Sequence, residues 1–220
     1  MIGSELWGLI GVSVLETLYM TLLSTFFAYL IGLPLGLALV ATAPRGIRPA
    51  KWLNRCLGFL VNVLRSVPFL ILLVLVMPIT RAIVGTTIGT NATVVPLVLA
   101  AAPFVARMVE SSIQEVGSGV IEAAQSMGAS PMQIICKVLV PEAKPSLMVG
   151  SAIAVTTILG YSAMAGFVGG GGLGTIAINY GYHRGETPPM LVTVVILVLL
   201  VQFFQECGMG LAKKLDKRNR

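Results

Sequence analysis

Long apolar runs, separated by polar stretches that hold most of the Arg and Lys residues, organise this chain. Five runs, at approximately 14–40, 57–80, 88–106, 146–168 and 189–211, reach the length at which a helix crosses a bilayer, about 20 residues. The pattern predicts an all-α, polytopic membrane protein with five transmembrane helices. The first run predicts a retained helix and not a signal peptide. No Lys or Arg precedes Arg45, and the run exceeds the about 7–15 apolar residues of a cleavable leader.

Several runs contain residues that disturb a helix. Gly32, Pro34 and Gly36 fall in the first, so its second half is expected to bend or to approach a neighbour closely. Pro68 and Pro78 fall in the second run, and Pro96 and Pro103 in the third. Bundle neighbours can satisfy the carbonyls that proline frees. Several bent spans suit a transporter or channel better than a simple anchor, although ordinary packing bends explain them equally well.

The connection between the third and fourth runs is about 40 residues long, which predicts structure of its own. Gly117 and Gly119 open a first short helix with Val120, Ala123, Ala124 and Met127 at helical spacing. Gly128 provides a turn, Ser130 a cap and Pro131 the first turn of a second helix, which carries Ile134, Ile135 and Val138 and exits at Pro141. This region, 117–141, could pack on its own spans or be gripped by a separate protein.

Composition narrows the class. Of 220 residues, 56% are hydrophobic and 11% charged, with a mean hydropathy of +0.91. A soluble domain carries about 25% charged residues. A water-soluble enzyme and the disordered, fibrous and disulfide-rich classes are therefore excluded. The net charge of +6 would suit nucleic acid. Its placement between apolar runs points to membrane orientation instead, with no nucleic-acid partner. Five spans put Arg45, Arg48, Lys51, Arg55, Arg65, Arg107, Lys137, Lys144, Lys213, Lys214, Lys217, Arg218 and Arg220 on one side, and Arg81 and Arg184 on the other. By the positive-inside rule the N-terminus is outside and the C-terminus cytoplasmic.

Candidate chemistry is sparse. Cys56, Cys136 and Cys207 are widely spaced, without metal-ligand spacing or a disulfide framework. His183 stands beside Arg184 and Glu186, without a second histidine or carboxylate cluster. The glycine run 169–174 lacks the Lys–Ser/Thr pair of a nucleotide-binding loop. It predicts an external turn or a close chain crossing. Arg65 is placed near a membrane boundary within snorkelling reach, and Arg107 and Glu110 can pair on one helix face. A membrane enzyme would need a convergent acid, base, nucleophile or metal cluster, and none is visible.

The residues of the long connection carry a resemblance. Glu122–Ala123–Ala124, then Gly128, then Val138 and Val140–Pro141 resemble the EAA signature of ABC importer permeases. The stretches 62–69, 101–110, 127–134 and 160–166 extend it over nearly the whole chain, and within that family it is similar to the permeases of bacterial methionine importers.

The resemblance implies a type I importer permease fold in the bacterial cytoplasmic (inner) membrane, with a cytoplasmic coupling helix and no catalysis by the chain itself. It implies one transmembrane permease domain over 1–220, with 117–141 as the coupling region. The implied partners are a second copy of the chain, two cytoplasmic ABC ATPase subunits that bind ATP and Mg, and an external methionine-binding lipoprotein. No cofactor is expected in this chain. Glu122, Ala123, Ala124 and Gly128 are the implied coupling element. A homodimer would place the solute route on its two-fold axis, which makes Tyr161, Ser162 and Met164 of the fourth span, and Ser66 of the second, the route candidates. Each also reads as ordinary helix packing. A permease for another small amino acid or solute is the nearest alternative, and a passive channel is disfavoured by the coupling signature.

Overall fold

The computed structural model describes residues 4–215, so Lys217, Arg218 and Arg220 of the basic tail lie outside the described residues. Regular structure among the described residues is helical throughout. The long helices are α1 (Ser4–Thr42), α2 (Lys51–Ser66), α5 (Thr90–Gln114), α9 (Lys144–Met164) and α11 (Thr187–Leu215). Short helices α3 (Phe69–Leu75) and α4 (Met77–Val84) follow α2, and α6 (Ser118–Ser126), α7 (Pro131–Gln133) and α8 (Val140–Glu142) join α5 to α9. A 3₁₀ turn at Ala165–Val168 and α10 (Gly172–Ile176) lie between α9 and α11.

Four helices are long and apolar enough to cross a membrane, and a fifth span results if the bent pair Lys51–Ser66 and Phe69–Leu75 counts as one. The fold is thus a multi-span helical membrane fold, but the second span is not one rod. The predicted run 57–80 is divided among α2, α3 and α4, with a bend of 101° between α2 and α3. Pro68 is the physical reason: it caps α3 with ψ 135 and disfavours a helical residue before it. Pro78 sits in the first turn of α4, where a missing N–H costs nothing. In contrast, α5 runs on through Pro96 and Pro103 and extends to Gln114, past the apolar run that predicted it.

The chain forms two compact units, each built from three separate chain segments. One comprises Met1–Phe27, Val67–Ala101 and Ala154–Gln205. Its core joins Ile10 to Leu173 and Ile176, flanked by Val192 and Ile196. The other comprises Ala28–Ser66, Ala102–Ile153 and Glu206–Arg220. There Leu39, Val61 and Ala106 form a core with Leu35 and Leu57 against it.

Small residues set the spacing in the second unit. A Cβ on Gly32 would lie 2.6 Å from the Ala102 carbonyl oxygen, and one on Gly36 would lie 2.5 Å from that of Ala106. Glycine four residues apart therefore lets α1 and α5 pack backbone to backbone, which replaces the hydrophobic drive that lipid cannot supply. This is the close approach expected from the sequence. The Asn54 side chain donates to the Leu39 carbonyl at 2.7 Å and to Thr42 Oγ1 at 3.2 Å. It thereby satisfies an orphan carbonyl in the last turn of α1.

Replacing Gly36 by Leu should force α1 from α5 and cost at least about 1–3 kcal/mol, the usual range for overpacking. Gly11→Ala, where an added Cβ meets nothing within 4 Å, should leave stability equal or higher. Thermal unfolding in detergent, followed for both variants, checks the contrast.

Candidate functional site

The region 117–141 folds as the short helix α6 and, after Gly128, a continuous helical stretch of α7, a π turn and α8; Pro141 lies in the first turn of α8 and does not end the second helix as expected. The signature acquires a physical reason. Helix α6 ends in a paired reverse turn: the Gly128 N–H donates to the Gln125 carbonyl at 2.9 Å and the Ala129 N–H to the Ala124 carbonyl at 3.1 Å. That closure needs a left-handed residue, and Gly128 supplies it with φ 76. The Glu–Ala–Ala…Gly spacing is thus a helix plus its terminator. Ser130 then caps α7 in a reciprocal box: its N–H donates to Gln133 Oε1 at 2.8 Å, and the Gln133 N–H donates to Ser130 Oγ at 3.4 Å. A π-helical turn, Ile134–Leu139, follows, with Ile134 and Leu139 buried.

The two faces of α6 differ. Ala124 is buried and Ile121 half-buried, whereas Val120, Ala123 and Met127 share the outward face. Met127 is 81% exposed and Met132, in the next helix, 67% exposed. The apolar stripe read from the sequence therefore does not pack wholly on the chain's own helices. Glu122 is exposed and lines a cavity of about 600 Å³ together with Arg45, Pro49, Gln114 and Gln125. All these residues belong to the second unit. Gly128 has open space around it, so its conformation and not its size demands glycine.

The route candidates have different surroundings. Tyr161 is half-buried and stacked on Phe69, with centroids 4.6 Å apart and planes within 4°. Met164, in the last turn of α9, is exposed. Ser162 is buried and its hydroxyl donates to the Leu159 carbonyl at 2.7 Å, within its own helix. Ser66 is exposed, and its hydroxyl donates to the Asn62 carbonyl at 2.8 Å. Arg107 pairs with Glu110, as their spacing suggested, and donates also to the Gly58 carbonyl at 3.1 Å and to Asn62 Oδ1 at 2.8 Å. Among the described residues no group of three or more His, Cys, Asp and Glu side chains could hold a metal ion.

The glycine run is a close chain crossing. Gly169, Gly171 and Gly172 take positive φ. The Thr93 hydroxyl donates to the Gly170 carbonyl at 3.1 Å. From α1, Glu16 Oε2 accepts from the Gly172 N–H at 2.7 Å, and Thr17 Oγ1 accepts from the Leu173 N–H at 2.9 Å. Sequence reading missed Glu16 and Thr17. A usable signal existed, because an acid inside an apolar run needs a donor, and a glycine turn exposes several. Glu16→Leu should remove a charge-assisted bond, a loss of roughly 1.5–3 kcal/mol. Amide exchange at Gly172 and Leu173 should speed up accordingly, while exchange in α6 stays unchanged.

Residues 29–219 match the model of the family described as the inner membrane component of binding-protein-dependent transport systems. The chain belongs to this family. It is 51% identical over 203 residues to the probable D-methionine transport system permease protein MetI of Vibrio cholerae, covering 92% of this chain and 90% of the relative. The corresponding protein of Pasteurella multocida is 46% identical over 214 residues, covering 97% of this chain and 99% of the relative. Among solved structures, an inward-facing MetNI methionine ABC transporter contains a chain similar at TM-score 0.96 and 46% identity, with 98% of this chain and 100% of that chain covered. As a member of this family the chain is a transport component and not itself an enzyme.

Proposed function

We propose that this chain is the permease subunit of an ATP-driven methionine importer. The observation that carries the reading is the full-length likeness, in sequence and backbone, to a chain of a methionine ABC transporter. In this reading the whole chain, 1–220, works as one permease domain, and two copies enclose the solute route. Separate ATPase subunits supply energy and bind ATP and Mg. A methionine-binding lipoprotein delivers the solute from outside. The chain lies in the bacterial inner membrane with its N-terminus outside and its C-terminus in the cytoplasm, an orientation supported by the distribution of Arg and Lys.

Coupling to the ATPase falls to 117–141. Glu122, Ala123, Ala124 and Gly128 build the α6 terminus, and the outward Val120, Ala123 and Met127 face supports docking of a partner there. Small alanines permit close approach, and the exposed Glu122 carboxylate offers a charge to a basic group. Of the route candidates, Tyr161, Met164 and Ser66 keep surface available to a solute, and Ser162 supports α9 from within. Methionine's thioether and apolar chain suit soft and aromatic surfaces of this kind.

Reconstitution in vesicles with the cognate ATPase and binding protein tests the reading. ATP-dependent uptake of labelled methionine should exceed that of other amino acids. A competent complex that imports another solute and not methionine overturns the assignment. Gly128→Val forces a β-branched residue into a left-handed conformation, at a cost of roughly 1–2 kcal/mol. ATPase association and uptake should both fall while membrane insertion persists.

A further inference from the structure

Several threonines in the helices of this chain donate their hydroxyl proton to the carbonyl four residues back. Thr17, Thr42 and Thr93 do so at 2.8, 2.6 and 3.0 Å. Thr80, in α4, does not. It is only 3% exposed, and its Oγ1 is buried without a hydrogen-bond partner from the protein. A buried hydroxyl left in that state carries the full cost of its lost hydration. Its surroundings therefore have to supply a partner.

Thr80 lines a cavity of about 10 Å³ together with Thr87, Ala92, Thr93 and Pro96, and apolar side chains make up the rest of the wall. All the lining residues belong to the first unit. Space of that size matches a single water and excludes any larger solute. Two acceptors lie beside it. Pro96 has no N–H, so the carbonyl four residues before it in α5, that of Ala92, loses its helical donor. Ordered water is one of the means by which a membrane span satisfies a carbonyl freed in this way. The Thr93 hydroxyl has its single proton engaged by the Gly89 and Gly170 carbonyls, at 3.0 and 3.1 Å, so it can only accept from a further partner.

We propose that this cavity is a binding site for one water molecule, which bridges α4 to α5. The water accepts from Thr80 Oγ1 and donates to the Ala92 carbonyl and to Thr93 Oγ1. That gives it about three bonds, the usual number for a buried water. A bare cation of similar size would meet neutral oxygens alone, because no carboxylate lines the cavity. The site ties the helix that follows the Pro68 bend to the proline-bearing turn of α5, whose Thr93 also holds the glycine run through Gly170. The inference stands independently of the importer reading.

Thermal unfolding of the full chain in detergent tests the site. Thr80→Val keeps the size of the side chain and removes its hydroxyl. With water in place this breaks one hydrogen bond, and Tm should fall by about 2–4 °C. In a dry cavity the same change would relieve an orphan hydroxyl, so an unchanged or raised Tm overturns the proposal. Pro96→Ala returns a helical donor to the Ala92 carbonyl, and in that background Thr80→Val should lower Tm by less. Equal losses in both backgrounds overturn the bridge through Ala92. Exchange of sodium for choline in the buffer should leave Tm unchanged, and a sodium-dependent Tm that Thr80→Val abolishes would make the ligand a cation and overturn the assignment to water. A structure of the complete complex at a resolution that shows ordered waters should hold one peak within hydrogen-bond reach of Thr80 Oγ1 and the Ala92 carbonyl; an empty cavity there overturns the site.

Discussion

The constraint on which this structure depends is that lipid offers no hydrogen bonds. Every backbone group and every charge within the spans must find its partner in the protein or in enclosed water. The long helices meet most of that demand by themselves, and the places where they stop are where side chains intervene. Asn54 closes the end of α1. Glu16 and Thr17 accept from the glycine turn before α10. Arg107 occupies Glu110, Gly58 and Asn62 together. These polar residues close the backbone ladder where the helices stop.

The same constraint governs packing. Lipid competes equally for apolar side chains, so helices hold together through close contact. Gly32 and Gly36 against Ala102 and Ala106 bring two backbones into direct apposition. Gly208 against Ala152 repeats the device between α11 and α9. A chain that relied on bulky side chains for these contacts would hold its helices further apart and would lose the hydrogen bonds that bridge them.

Function follows from the places where the constraint is not met internally. Met127 and Met132 stand far out of the fold, and among the described residues the outward face of α6 has no cover. Arg65 lies over the Phe104 ring, 6.0 Å from its guanidinium carbon to the ring centroid. An exposed apolar face on a short connecting helix asks for a protein partner. A permease that works with a separate ATPase presents such a face.

Much was legible from sequence because membrane physics writes long, coarse signals. The apolar runs located the spans, the Arg and Lys distribution supported an orientation, and the Glu122…Gly128 spacing announced a helix with its terminator. Capping at Ser130 and Pro131 was readable for the same reason: local hydrogen bonding needs only neighbours in sequence. What depends on distant partners was not readable. Pro34 lies inside an unbroken α1 whereas Pro68 stands at a 101° bend, and a proline in an apolar run reads the same in both places. Glu16 signalled a need for a donor, but not which one among the chain's turns, and Gly172 lies 156 residues away. The sequence determined where the chain meets the membrane and which family it resembles. Tertiary structure decided which charges are satisfied, because pairing in a low-dielectric interior is set by three-dimensional neighbours and not by spacing along the chain.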